Sequence, residues 1–322
     1  MIAYLKLFRW QNLLIIVFIQ YLLRYCIIEP ILINEGYSLG LSNLDFFLLV
    51  LATVLVTAAG YAINDYFDLK TDRINKPHKI ILGKKLSRRK AIFFHTLLNI
   101  IAVLIGIYLA YRVNFWSLSA IFVVIPTLLW LYSIRYKRKF FIGNLIISLL
   151  AAFVIVIVWV FEFHAIALKP GIDVSLLREK TGLISDYVKI FALFAFLVTL
   201  LREIVKDIED IKGDAKIGCK TIPIVSGVRQ CKNILIILTI VIIVFTGYFQ
   251  VLMLSLGNPY NLLFLYVLLT VQIPLILTIN KIHIAKEKLD YHIISRLVKF
   301  IMITGIFSMF LLYFYLSINE VF

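Results

Sequence analysis

The chain has 322 residues, of which 62% belong to the AVILMFWYC set and 16% are charged, with a formal net charge of +15. Soluble domains run at about 45–50% apolar and about 25% charged, and a single water-facing core of this size would leave too much apolar surface exposed. Composition therefore excludes soluble enzyme folds and points to an all-α integral membrane protein; because the basic residues punctuate apolar runs and form no single patch, no nucleic-acid partner is expected.

Apolar windows fall at about 10–33, 44–63, 91–111, 115–134, 141–161, 187–204, 233–256, 260–280 and 294–317. Each is close to the ~20 residues that a spanning helix needs, and none has the short alternation of a membrane barrel. The prediction is nine transmembrane helices. The first window follows Lys6 and Arg9 as a signal peptide would, but it is longer than a signal core and lacks a small-x-small cleavage site, so it is read as a span. Arg24 and Glu29 interrupt it, either lining a cavity or marking a kinked, partly interfacial helix. Trp10, Trp116, Trp130 and Trp159 lie near span ends and read as interfacial anchors.

Loop charge orients this layout. With the N-terminus inside, 27 of the 33 basic residues fall on the inner side, the asymmetry of the positive-inside rule. The expectation is a cytoplasmic N-terminus and an external C-terminus, in the inner membrane if the cell is bacterial. The segment 162–186, with Lys169-Pro170-Gly171, reads as an external loop or short surface helix. Nothing resembles an interdomain linker, so residues 1–322 are expected to form one membrane domain. Cys26, Cys219 and Cys231 have no zinc or disulfide spacing. His78, His95, His164, His283 and His292 contain no HExxH pair and read as solvated or internally satisfied.

The chemistry is concentrated in the aspartates. Six of the ten sit in two stretches, Asn64-Asp65-Tyr66-Phe67-Asp68-Leu69-Lys70-Thr71-Asp72 and Asp207-Ile208-Glu209-Asp210-Ile211-Lys212-Gly213-Asp214. Both have the spacing Asp-xx-Asp-xxx-Asp. On a helix these positions share one face, so each stretch projects a row of three carboxylates, and Asn64 joins the first. One row follows the second predicted span and the other the sixth, which places both on the same side and suggests two related halves. Six carboxylates brought together require cations. Mg²⁺ fits, since it takes oxygen ligands and is usually held by a few carboxylates plus substrate phosphates. Lys70, Arg73, Lys76, Lys79, Arg202, Lys206 and Lys212 flank the rows, a combination suited to a diphosphate.

With these motifs the sequence resembles the UbiA superfamily of intramembrane prenyltransferases. The first signature matches Asn64 to Asp72 and then Asn75-Lys76-Pro77. The second matches Asp207 to Asp214 within Arg202-Glu203-Ile204-Val205-Lys206-Asp207, and Gly218-x-x-Thr221-x-Pro223 is similar as well. The resemblance implies a nine-helix bundle with a cytoplasmic-facing cavity open laterally to lipid. It implies two Mg²⁺ ions holding an isoprenyl diphosphate through Asp65, Asp68, Asp72, Asp207, Asp210 and Asp214, with Asn64 assisting. Pyrophosphate would leave an allylic carbocation for an acceptor to capture, the developing charge being stabilised by metal and basic groups. Lys76, Lys79, Arg202 and Lys206 are the expected diphosphate contacts.

Acceptor choice rests on finer likeness. Tyr132-Ser133-Ile134-Arg135-Tyr136-Lys137-Arg138, Ile142-Gly143-Asn144 and Arg9-Trp10-Gln11-Asn12 are similar to segments of the digeranylgeranylglyceryl phosphate synthases. Asn12, Tyr132 and Lys137 are accordingly expected at the substrate. The reading is geranylgeranyl transfer to a prenylated glycerol phosphate, forming an ether. The alternative is C-prenylation of 4-hydroxybenzoate or 1,4-dihydroxy-2-naphthoate in quinone synthesis. A cation transporter would place its acids nearer the bilayer midplane, and a CDP-alcohol phosphotransferase would carry an Asp-Gly-xx-Ala-Arg signature that this chain lacks.

Overall fold

The computed structural model describes residues 2–78, 80–255 and 261–318. They form α1 (Ile2–Leu7), α2 (Trp10–Leu22), α3 (Glu29–Asn34), α4 (Asn43–Asn75), α5 (Arg88–Arg112), α6 (Ile121–Ile134) and α7 (Ile142–Ala167). There follow α8 (Val174–Lys180), α9 (Gly182–Lys216), α10 (Ile222–Ser255), α11 (Asn261–Val267), α12 (Ile273–Ile284) and α13 (Lys288–Ile318). A π-helical turn, Leu23–Ile28, joins α2 to α3 in one continuous rod. The only bridge among the described residues is a minimal one between Leu82 and Leu86.

Eight helical segments among the described residues are long and apolar enough to cross a membrane. The sixth predicted span lies on α9, which is not among the eight; Asp186, Lys189, Arg202, Glu203 and Lys206 charge it at both ends.

The two helices that carry the carboxylates are longer than the windows 44–63 and 187–204 suggested. At 1.5 Å per residue, the 33 residues of α4 reach about 50 Å, against a hydrocarbon core of about 30 Å. The apolar part of α4 is used up before Asn64, and its overhang carries the first row. Ser42 caps its start, accepting from the Asp45 N–H at 3.1 Å, and Pro77 disfavours helical backbone just before it. In α9 the residues Phe191 to Leu201 are mostly buried, and the polar extension to Lys216 carries the second row.

One apolar core packs α2, α4, α7 and the first half of α9. A second packs the rest of α9 against α10, α12 and α13. A small third cluster fixes Leu7 of α1 against Ala62, Leu82, Leu86 and Ala91, holding α1 and the 80–87 segment beside the first row.

Arg24 neither lines the cavity nor sits in the interface. It is fully buried and paired at 2.7 Å with the equally buried Glu162 of α7. The other Glu162 oxygen accepts from the N–H groups of Gly40 and Leu41 at 2.9 and 3.1 Å, and the Arg24 guanidinium lies 4.3 Å from the Phe46 ring centroid. Glu162 therefore belongs to the helical interior, where it ties the π-helical turn after α2 to α7 and the 35–42 turn. The segment after it is mostly helical, with α7 running to Ala167 and α8 capped by Asp173. Trp159 is also buried and donates to Ser185 Oγ at 3.1 Å, so it acts as a packing residue and not an interfacial anchor.

Candidate active site

α4 and α9 pack side by side, and both aspartate rows line one cavity of about 1570 Å³. All the residues expected at the site line it with one exception: Lys79 lies outside the described residues. Thus Asn64, Asp65, Asp68, Asp72, Asp207, Asp210 and Asp214 share the cavity with Asn12, Lys76, Tyr132, Lys137, Arg202 and Lys206.

The rows are held together by a clamp at the end of α4. Asn75 Nδ2 donates to the Asp210 carbonyl at 2.8 Å, and the Gly213 N–H donates to Asn75 Oδ1 at 2.9 Å. A Cβ on Gly213 would lie 2.6 Å from that oxygen, so only glycine admits the amide. Next in sequence, Lys76 pairs with Asp210 at 2.6 Å. Burial disfavours the Lys76 charge, but the Asp210 carboxylate and its hydrogen bond outweigh burial and hold the ammonium above the ordinary lysine pKa.

Each row is partly neutralised from outside its own helix. Arg9, in the left-handed region at φ 50°, pairs with Asp65 at 2.9 Å and lies 4.7 Å from the Tyr61 ring centroid. Burial opposes the Arg9 charge, and Asp65 outweighs it. Lys137 pairs with Asp68 and reaches Asn64 Oδ1 at 3.3 Å, while Asn64 Nδ2 donates to Asp68 Oδ2 at 2.7 Å. The close turn that presents Lys137 needs Gly143, where a Cβ would meet the Lys137 Cα at 2.7 Å. Asn144 of α7 donates to Asp207 at 2.8 Å.

Six carboxylates thus meet three basic partners, leaving the rows net negative. Among the described residues no three His, Cys, Asp or Glu side chains are gathered tightly enough to hold one ion alone. The donor set is oxygen throughout, and Asp210 Oδ1 is buried without a hydrogen-bond partner. Both features suit a hard divalent cation that completes its shell with water and substrate oxygens.

Behind the rows the walls become apolar: Ile15 and Ile19 of α2, Ile125 and Leu129 of α6, Val154 of α7 and Phe194 of α9 line the same space. A charged mouth over an apolar chamber accommodates an amphiphile with an anionic head.

Several site residues were not singled out from sequence. In the sequence Arg9 stands out as topological charge and as part of the Arg9-Trp10-Gln11-Asn12 segment, and Asn75 and Asn144 only as parts of motifs. Glu203 pairs with Lys206 at 2.7 Å and with Arg202 at 3.4 Å. His292, read as solvated or satisfied, lines the cavity and pairs with Glu209 at 3.1 Å. Cys219 also lines it, but burial, reinforced by Asp214, pushes its thiol up to about 11, so it is no nucleophile at neutral pH.

A family model described as the UbiA prenyltransferase family matches residues 35–303. A relative from Methanosphaera stadtmanae, named digeranylgeranylglyceryl phosphate synthase, is 32% identical over 200 residues, 62% of this chain and 64% of that protein. The match thus spans somewhat less than two thirds of that relative. A solved structure concerned with digeranylgeranylglyceryl phosphate synthase in membranes superposes with a TM-score of 0.59 at 26% identity, covering 98% of both chains. A UbiA homolog from Archaeoglobus fulgidus, bound to DMAPP and Mg²⁺, has the same fold, with a TM-score of 0.53 at 14% identity over 95% of this chain and 99% of that one.

Proposed function

The chain belongs to the UbiA prenyltransferase family, and on that premise we propose that it transfers a geranylgeranyl-type chain from its diphosphate to the free hydroxyl of a prenylated glycerol phosphate, forming an ether. The observation that carries this reading is the pair of clamped carboxylate rows at the mouth of an apolar chamber. The name of the Methanosphaera relative supports the acceptor, and the ligands of the Archaeoglobus homolog support the donor class and the metal.

In this reading Asp65, Asp68, Asp72, Asp207, Asp210 and Asp214, with Asn64, would hold two Mg²⁺ ions directly or through water. When bound, Mg²⁺ would neutralise charge on the departing pyrophosphate. Lys76 and Lys137, already on the carboxylates, turn to the diphosphate oxygens. Tyr132 and the aliphatic walls exclude water from the allylic cation, which the acceptor hydroxyl oxygen captures as its proton passes to the released pyrophosphate. The cavity opens to the cytoplasm, α9 adds a further crossing, sixth in chain order, to the eight and makes nine, the N-terminus is inside and the C-terminus outside, and residues 1–322 act as one membrane domain.

Pyrophosphate release by the purified protein tests this, using geranylgeranyl diphosphate with and without Mg²⁺. The acceptors are geranylgeranylglyceryl phosphate, 4-hydroxybenzoate and 1,4-dihydroxy-2-naphthoate. Mg²⁺-dependent release with the glyceryl phosphate alone is expected. Release with an aromatic acid in its place would overturn the acceptor assignment and keep the donor chemistry. Release that ignores Mg²⁺ would overturn the metal role.

A further inference from the structure

The cavity holds a second polar tier, separate from the carboxylate rows. Lys299 of α13 donates to Asn12 Oδ1 at 2.8 Å, and among the described residues it meets no carboxylate. Arg202 of α9 is its like-charged neighbour. Arg202 and Lys206 share a single oxygen of Glu203, and Arg202 Nε is buried without a hydrogen-bond partner. Arg202 and Lys206 thus share one carboxylate, and Lys299 beside Arg202 adds a third cation. Nearby, the Glu209 carboxylate accepts from His292 and Arg9 is matched by Asp65, so the tier keeps a surplus of about one to two positive charges.

Helix geometry separates this tier from the rows. At 100° per residue, Arg202 and Lys206 share a flank of α9 with Glu209, which contacts α13 through His292. Asp207, Asp210 and Asp214 lie on the adjoining flank, where Asp207 meets Asn144 of α7 and Asp210 meets α4. Along the axis Arg202 is about 12 Å deeper than Asp210 at 1.5 Å per residue. The tier is also where three walls change character together. On α13 the cavity face runs Ser295, Lys299, then Met302 and Ile306; on α2, Asn12 gives way to Ile15; on α9, Arg202 gives way to Ala195 and Phe194.

We infer that Lys299, with Arg202 and Lys206, binds the phosphate monoester of an amphiphilic acceptor, whose hydrocarbon chain runs along Met302 and Ile306; Arg202 and Lys206, expected from the sequence at the diphosphate, thereby serve the acceptor instead, and the diphosphate keeps Lys76 and Lys137. This rests on the prenyl-transfer reading above and adds to it a headgroup subsite distinct from that of the donor. A phosphate monoester carries about −1.5 to −2 at pH 7, which matches the surplus charge; an aromatic carboxylate carries half of that or a little more. The net-negative rows take the metal-bound diphosphate, the net-positive tier takes the acceptor phosphate, and the two anions stay apart. Charge of opposite sign on adjoining flanks of α9 thereby sorts the substrates.

The test compares wild type with Lys299→Gln and Lys299→Arg. In detergent, without Mg²⁺ or donor, thermal stabilisation is measured with geranylgeranylglyceryl phosphate and with geranylgeranylglycerol. Wild type and Lys299→Arg are expected to be stabilised by the phosphorylated amphiphile only, and Lys299→Gln by neither. In turnover, Lys299→Gln raises the acceptor KM tenfold or more and leaves the donor KM within twofold. Equal stabilisation of wild type by both amphiphiles overturns the subsite, as does an undiminished response in Lys299→Gln or a donor KM that rises in step with the acceptor KM. Phosphate-dependent and Lys299-dependent binding without turnover would uphold the subsite and overturn the reaction assigned above.

Discussion

The clamp between α4 and α9 gives a direct handle on whether the spacing of the two rows matters for activity. Asn75→Ala removes both hydrogen bonds, to the Asp210 carbonyl and from the Gly213 N–H. Each is worth about 0.5–1.5 kcal/mol net. Both backbone groups keep partners within their own helix, so the lower half of the range applies and the pair contributes about 1–2 kcal/mol. At about 2–4 °C per kcal/mol for a chain of this size, unfolding shifts by only a few degrees. Gly213→Ala reaches the same point from the other side. Its Cβ would lie 2.6 Å from Asn75 Oδ1, about 1 Å inside ordinary contact, so the amide or the helix must retreat. A misplacement of about 1 Å in a positioned site costs on the order of 10²-fold in rate. Each variant should therefore lose about 10²-fold in kcat/KM for the prenyl diphosphate at saturating Mg²⁺ while remaining folded in detergent. Because both break one clamp, the double variant should be no worse than the more affected single one. Wild-type kcat/KM in Gly213→Ala, or losses that multiply to about 10⁴, would refute the reasoning.

Asp68→Ala and Asp210→Ala should each abolish turnover and leave an inserted, folded protein; full activity in either, measured by pyrophosphate release, would rule out a site built on two rows. Glu162→Gln strands the fully buried Arg24 charge, and breaking such a pair costs about 3–5 kcal/mol. Its thermal unfolding should fall far more than that of Asn75→Ala, and replacing both partners by Met and Leu should recover much of the loss. A tag at Met1 should be cytoplasmic and one at Phe322 external by protease accessibility in intact cells; tags on a shared side would disprove an odd number of crossings.

The rows themselves were legible in the sequence because helical periodicity is local. Asp65, Asp68 and Asp72 fall on one face whatever packs against them, and the same holds for the second row. Apolar run length located most of the rods for the same reason. It failed where a helix outruns its apolar stretch, since nothing in Asp-, Lys- and Arg-rich sequence stops a helix until Pro77 or Gly218 intervenes. That is why α4 and α9 carry their rows within the helix and not after it.

Long-range pairings were the illegible part. Arg9 sits 56 residues from Asp65, and Lys299 sits 287 from Asn12; periodicity says nothing about partners so far apart. Charge alone misled in both cases, because a lysine or arginine near a span end satisfies the positive-inside rule equally well whether it faces water or a cavity. The same ambiguity hid Arg24, whose position inside an apolar run suggested a kink or a cavity wall. Its acidic partner lay 138 residues away, in what read as an external loop. In each instance the sequence supplied the charge and the fold supplied the counter-charge. Where the counter-charge is too small, as around Lys299 and Arg202, the imbalance marks the place for a substrate anion, and it becomes visible only once α2, α9 and α13 are brought together.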